Sequence, residues 1–118
     1  MSFKIACREA RKSKHAKHKV GAVIVKGDRV LSCGFNSLRF SSIINQPTLH
    51  AEAHAILKLL KEHRLNDLAG SSLYVTRFTK GGNTGLSKPC KNCMELIKSV
   101  GVRKVYYSTK ESTEVMDV

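Results

Sequence analysis

The chain reads as an α/β fold, and three observations carry that expectation. Runs with apolar residues three and four apart alternate with short β-branched runs, the two periods of helix and strand. Gly27-Asp28 divides two of the β-branched runs, which is hairpin punctuation. The 118 residues are 42% hydrophobic and 25% charged, a composition able to bury roughly two-thirds of the unfolded surface in one core. Residues 1–118 are therefore expected to form a single domain.

The elements follow in order. "SFKIACREARKS" sets Phe3, Ala6, Cys7 and Ala10 on one stripe, so a first helix is expected behind Ser2 as N-cap. "VGAVIVK" and "RVLSCGFN" are the two strands of the hairpin. "SLRFSSIINQP" is a loop ending at Pro47, and Thr48 is the expected cap of a second helix running to about His63. "LNDLAGS" closes that helix, and "SLYVTRF" is a third strand. "TKGGNTGLSK" is a glycine-rich loop before a third helix, "PCKNCMELIKSVG", with Pro89 favoured at its first position. "VRKVYYS" is a fourth strand. "TEVMDV" is a fifth, reached by a turn over Lys110-Glu111-Ser112 and therefore antiparallel to the fourth. No internal repeat, linker or low-complexity segment interrupts this order.

No apolar run reaches the roughly 20 residues of a membrane span, and "MSFKIACREARKSKH" lacks the apolar core of a signal peptide. No membrane partner is expected, and the cytoplasm is the expected location. In that compartment Cys7, Cys33, Cys90 and Cys93 are thiols or metal ligands instead of disulfides. Cys7 and Cys33 stand singly in apolar surroundings and read as small buried hydrophobes. The net charge is +12, concentrated early: Lys4, Arg8, Arg11, Lys12, Lys14, Lys17 and Lys19 oppose Glu9 alone. Such a run is either a solvated face or an attractor of phosphate, on a nucleotide or a nucleic acid. His15 and His18 lie among those lysines and read as solvated. Aromatics are only 6%, so no stacking ladder for single strands is present.

The chemistry concentrates in "TLHAEAHAILKLL", where His50, Glu52 and His54 open an otherwise leucine-burying helix. His50 and His54 are four apart and share a helical face. In zinc proteases two such histidines bind the metal, but the glutamate directly follows the first. Here Ala51 intervenes, which turns the carboxylate about 100° away. A better partner is "SKPCKNC". Cys90 and Cys93 with His50 give two sulfurs and one nitrogen, three protein ligands with a fourth position open to water. That is a catalytic zinc pattern, and Glu52 is placed beside the water without being a ligand.

"HAE" at 50–52 followed by "PCKNC" at 89–93 resembles the paired signature of the zinc-dependent cytidine and deoxycytidylate deaminase superfamily. The resemblance extends through "VGAVIVKGDRVLSCGFN", "LYVT" and "GVRKVYYS", roughly residues 18–108. It implies a three-layer cytidine deaminase-like fold, a mixed β-sheet with helices on both faces and zinc at the N-termini of the second and third helices. It implies that Glu52 moves a proton from water to the ring nitrogen and then helps ammonia leave. Ala51 would supply a backbone amide and little bulk, and Asn36 matches a position that contacts the substrate sugar in many members. Asn36 reads equally well as a turn asparagine, and His54 as a packed or hydrogen-bonded histidine.

Departures from the pattern are also legible. The link from Thr79 to Lys88 is longer than in many deaminases and lacks P-loop spacing, so Gly81, Gly82 and Gly85 are expected to give mobility to a lid. There is no Cys/His set for a second, structural zinc. The hairpin ending is nearer the cytidine deaminase branch than the tRNA adenosine or deoxycytidylate branches, in which a helix intervenes. The leading expectation is a zinc deaminase converting a cytosine-type base to uracil on a free nucleoside or nucleotide. A deaminase acting on single-stranded RNA or DNA is the second reading. A third, from another class, is a non-enzymatic basic nucleic-acid-binding module in which His54 closes a structural zinc site. The resemblance also implies a homo-oligomer.

Overall fold

The computed structural model describes residues 2–13, 19–36, 50–79 and 83–118. Helix α1 is Ser2–Ala10, followed by strands β1 (Lys19–Lys26) and β2 (Arg29–Phe35). Helix α2 is Ala51–Lys61 and the one-turn helix α3 is Leu65–Leu68. Then come β3 (Ser72–Phe78), the two-residue β4 (Thr84–Gly85), α4 (Lys91–Ser99), β5 (Lys104–Ser108) and β6 (Thr113–Asp117).

The strands form one mixed sheet in the order β2-β1-β3-β5-β6, with β4 added at the end of β3. β1 is antiparallel to both β2 and β3, β3 is parallel to β5, and β5 is antiparallel to β6. A parallel pair needs a crossover, and α4 supplies it between β3 and β5. The last hairpin is antiparallel, as the turn over Lys110-Glu111-Ser112 predicts: Ser108 pairs with Thr113 and Lys104 with Asp117.

Two glycines show that helices cover both faces. A Cβ on Gly21 would run into the α1 backbone at Ala6 and Ala10. A Cβ on Gly34 would sit 2.6 Å from both Ala51 O and Ala55 N of α2. Ala22 pairs with Gly34 and is the neighbour of Gly21, and successive strand residues point to opposite faces. Thus α1 lies on one side and α2 on the other. The main core is on the α2 side, where Ile24, Ile56, Leu59, Leu73, Val75, Ile97 and Val105 are fully buried. Ala51, Ala53 and Ala55 are buried there as well, small enough to let the start of α2 approach the sheet. The α1 side is thinner and aromatic: Phe3 meets Tyr74 edge-on at 5.2 Å, and Tyr74 stacks on Tyr106 at 4.3 Å.

The close approach at Gly34 yields a stability prediction. Gly34→Ala should push α2 off β2 and cost about 1–3 kcal/mol, as overpacking does. Denaturant titration reads it, and an unchanged midpoint would show that the α2 backbone yields freely.

Several expected details differ. Ser2 is the first helical residue of α1 and not its cap. The N-cap of α2 is His50, so Thr48, which lies outside the described residues, does not hold that position. Pro89 precedes the N-cap Cys90 instead of occupying the first helical position. Cys7 and Cys33 are half-buried and not fully inside. The link after β3 is partly strand: Thr84 and Gly85 pair with Phe78 and Arg77, and Gly85 is buried. Gly85 is therefore a sheet residue and no part of a mobile lid, while Gly81 and Gly82 lie outside the described residues. So do the loop 37–47, His15, His18, Lys14 and Lys17.

Candidate metal centre and cleft

Two helix beginnings converge at one end of the sheet. His50 is the N-cap of α2 (φ −71°, ψ 153°) and Cys90 the N-cap of α4 (φ −70°, ψ 170°), both in extended conformation. Their carbonyls accept the first helical hydrogen bonds, from His54 N at 2.9 Å and Met94 N at 2.8 Å. Neither side chain caps its own helix. Two positions that usually carry Ser, Thr, Asp or Asn instead carry groups able to bind a metal.

Cys93 lies one turn into α4 and is fully buried. His50 Nδ1 is 3.2 Å from Cys93 Sγ and 3.7 Å from Cys90 Sγ. The three donor atoms lie within 4.8 Å of one another. A tetrahedral zinc with ordinary bond lengths separates such nitrogen and sulfur donors by about 3.5 Å, so the donor set and spacing fit the ion. Burial lowers the His50 imidazole below its ordinary range, which keeps the ring neutral and able to ligate. The Cys93 thiol is pushed well up, by burial first and then by Glu52 and Cys90, so it keeps its proton until a metal displaces it.

Glu52 stands at the second position of α2 and is only 5% exposed. Burial pushes its carboxyl up to about 7, opposed by a hydrogen bond from its own backbone. A group that must both accept and return a proton works best when it titrates near the working pH. Glu52, His50, Cys90, Ala51 and Asn36 all line one cleft of about 310 Å³, at the small end of the range for ligand pockets.

Asn36 has a structural task and also lines the cleft. Its Oδ1 accepts from Val20 N at 2.9 Å, and its backbone N donates to Val20 O at 3.1 Å. It thereby ties the end of β2 to β1 while lining the cleft. His54 stands apart from the three metal donors. Its Nδ1 is 3.2 Å from both the N and the O of Phe35, and its ring meets the Phe35 ring edge-on at 5.2 Å. Among the described residues the metal-capable group is His50, Cys90 and Cys93 alone. The closed four-ligand site therefore does not form through His54.

Sequence reasoning missed part of the cleft wall. Arg77, Leu86, Ser87 and Lys88 line the cleft as well. They are held there by two buried serines: Ser87 Oγ donates to Val75 O (2.8 Å), and Ser108 Oγ donates to Gly85 O (2.8 Å). Ser87 N donates to Ser108 O at 2.9 Å, and Ser108 N donates to Ser87 Oγ at 2.7 Å. These bonds fasten the segment before Cys90 to β3 and β5, and so fix where α4 begins. The one visible signal was a polar Ser108 ending the apolar "VYY" run.

Comparison with known proteins agrees with this geometry. A curated protein of Aliivibrio fischeri, described as an uncharacterized deaminase in the luxG 3'region, is 36% identical over 104 residues, which is 80% of this chain and 60% of that protein. This chain therefore spans less than two-thirds of that relative. The deoxycytidylate deaminase of Mycobacterium phage D29 is 33% identical over 92% of this chain and 91% of its own length. Among solved structures, the apo dCMP deaminase of cyanophage S-TIM5 superposes with a TM-score of 0.66 at 30% identity, covering 93% of this chain and 81% of that one. The same enzyme has been solved with dCMP and dUMP, with a TM-score of 0.58 at 27% identity over 89% of this chain and 79% of that one. A cytidine deaminase from Burkholderia pseudomallei shares the fold, with a TM-score of 0.74 at 21% identity over 98% and 89% of the two chains. The sequence profile of the cytidine and deoxycytidylate deaminase zinc-binding region matches residues 2–109, the span that carries the donor triad, Glu52 and the cleft. With that match and the phage relative in hand, the chain belongs to the cytidine and deoxycytidylate deaminase family, and zinc is its metal.

Proposed function

We propose that the protein hydrolyses the exocyclic amine of a cytosine base on a free nucleoside or nucleotide, giving the uracil compound and ammonia. The observation that carries this reading is the placement of Glu52, a buried carboxyl pushed up to about 7, in the same small cleft as His50 and Cys90. Bound zinc, held by His50, Cys90 and Cys93, supplies Lewis acidity that lets a water ionise near neutral pH. Glu52 accepts the water's proton, hands it to the ring nitrogen and then assists the departing amine. A C–O bond forms and the C–N bond breaks at one carbon, with no redox partner needed. Ala51, fully buried with only a methyl side chain, leaves room for the base against the start of α2. Asn36 holds the sugar side of the cleft. The phage relatives that act on deoxycytidylate support the same substrate class.

Incubating the zinc-loaded protein with cytosine nucleosides, nucleotides and short single strands, and reading ammonia and product mass, tests this directly. Free compounds should be turned over faster than any cytosine-containing oligomer. Replacing Lys12, Lys14 and Lys17 together by alanine should leave KM for the free compound nearly unchanged. A preference for oligomers that weakens steeply with salt, as phosphate contacts do, would assign the activity to polynucleotides instead. Self-association is part of this proposal, since Leu86 and Val115 are 56% and 52% exposed, and sedimentation velocity measures it.

A further inference from the structure

A second cavity lies on the α1 face of the sheet and shares no described lining residue with the metal cleft. We propose that it binds a small amino alcohol, with the ligand's hydroxyl on Thr76 and its ammonium held at the rim by Glu111. Such a site is independent of the deaminase chemistry above.

Sheet register builds the floor of this cavity. Val75 pairs with Tyr107 in parallel, so Thr76 and Ser108 follow side by side, and Ser108 in turn pairs with Thr113. Thr76 lies two residues past Tyr74, which meets Phe3 of α1, so the row of hydroxyls faces α1. Phe3 and Cys7, one helical turn apart, form the apolar wall, and Glu111 stands exposed at the rim. The cavity measures about 220 Å³, below the usual range for drug-sized ligands, which selects a small molecule.

The three hydroxyls are not equivalent. Ser108 Oγ is engaged: it donates to Gly85 O at 2.8 Å and accepts from Arg77 N at 3.1 Å. Thr113 is exposed to solvent. Thr76 is only 1% exposed, and its Oγ1 has no hydrogen-bond partner among the described residues. A buried hydroxyl left unpaired costs free energy that a ligand can recover. The ligand must meet it with a small neutral polar group, because a charge at that depth is costly to bury. The mouth has a different preference. In a chain of net charge +12, the described lining carries one carboxylate, Glu111, and no cation. The turn that presents it is fixed, since Thr109 Oγ1 accepts from both Glu111 N (3.3 Å) and Ser112 N (2.9 Å). An ammonium is matched there and an anion is not. At about 0.15 M salt, charges farther than about 8 Å away are screened, so the local carboxylate decides. The carbon chain between the two polar ends then lies along Phe3 and Cys7.

The test titrates zinc-loaded protein with aminopropanol and with its isosteres butylamine and butanol, each of which replaces one polar end by a methyl group. Amide NMR shifts around Cys7, Thr76 and Glu111 are expected to saturate at about millimolar aminopropanol, the scale for so small a ligand. Each isostere should bind about tenfold more weakly, because one polar contact is lost. Thr76→Val keeps the shape of the floor and should weaken aminopropanol about tenfold while leaving butylamine unchanged. Glu111→Gln, in an exposed turn, should weaken aminopropanol and butylamine alike and leave butanol unchanged. Maleimide labelling of Cys7, mapped by peptide mass, should slow on binding, whereas that of Cys33 should not. Absence of saturable shifts overturns the site, as do shifts confined to the metal cleft around Asn36 and Glu52. Butanol binding as tightly as aminopropanol overturns the ammonium at Glu111, and butylamine doing so overturns the hydroxyl at Thr76.

Discussion

Zinc-loaded Glu52→Gln protein is expected to fold, to retain about one zinc per chain and to deaminate cytosine compounds about 10²–10⁴-fold more slowly than the unaltered protein. The amide keeps the size and the buried position but cannot take a proton from water. A zinc-replete variant with near-normal turnover would show that the proton moves by another route. The same substitution has a stability consequence with a definite sign. In the metal-free protein Glu52 titrates near 7 where an ordinary glutamate titrates near 4.5, so the folded state binds the proton more tightly than the unfolded chain. Stability therefore falls as pH rises through that window. The shift corresponds to about 3 kcal/mol. Metal-free Glu52→Gln protein should match the unaltered protein near pH 4.5 and exceed it in stability above pH 7. Parallel curves at the two pH values would show that the carboxyl is not strained by burial.

The second large effect is at the metal. Cys93→Ala should release zinc almost completely, since it removes one of three protein donors and the one most deeply buried. Cys90→Ser should do the same, whereas His54→Ala should leave the metal bound, because His54 is engaged with the Phe35 backbone. Plasma emission on dialysed protein measures all three. A zinc-free His54→Ala protein would move the metal centre away from the triad. Loading the metal-free protein near pH 7 should also release protons, including that of the buried Cys93 thiol. Calorimetry in buffers of different ionisation heat counts them.

Much of this was legible in the residues. The hairpin around Gly27-Asp28, the strand "SLYVTRF" and the final antiparallel pair are in the expected places because each is a short local pattern bounded by turn residues. The donor triad was visible because zinc ligation demands particular side chains, and few residues in the chain can supply them. Helix starts were harder to read. A search for Ser, Thr or Pro at helix N-termini selected Ser2, Thr48 and Pro89. In α2 and α4 the cap positions hold His50 and Cys90, whose side chains do not cap and could instead hold a metal. The cleft wall was invisible for a different reason. Ser87 and Ser108 are 21 residues apart, and no periodicity links a hydroxyl in a loop to one at the end of a strand. Likewise the glycine-rich composition of the link suggested mobility, while Gly85 is buried because the sheet continues through it.

The spacing of the metal donors also bears on the order of folding events. His50 and Cys90 are 40 residues apart in the chain, and β3, β4 and the crossover to α4 all lie between or beside them. Bringing them together closes a long loop, and such non-local contacts form late and slowly. During synthesis His50 and Glu52 emerge well before Cys90 and Cys93. Until the second half arrives, α2 presents a buried-type carboxyl and an uncapped end with no metal partner. The candidate metal centre is therefore among the last parts of the molecule to assemble, and metal capture would report that the chain has been made as far as α4.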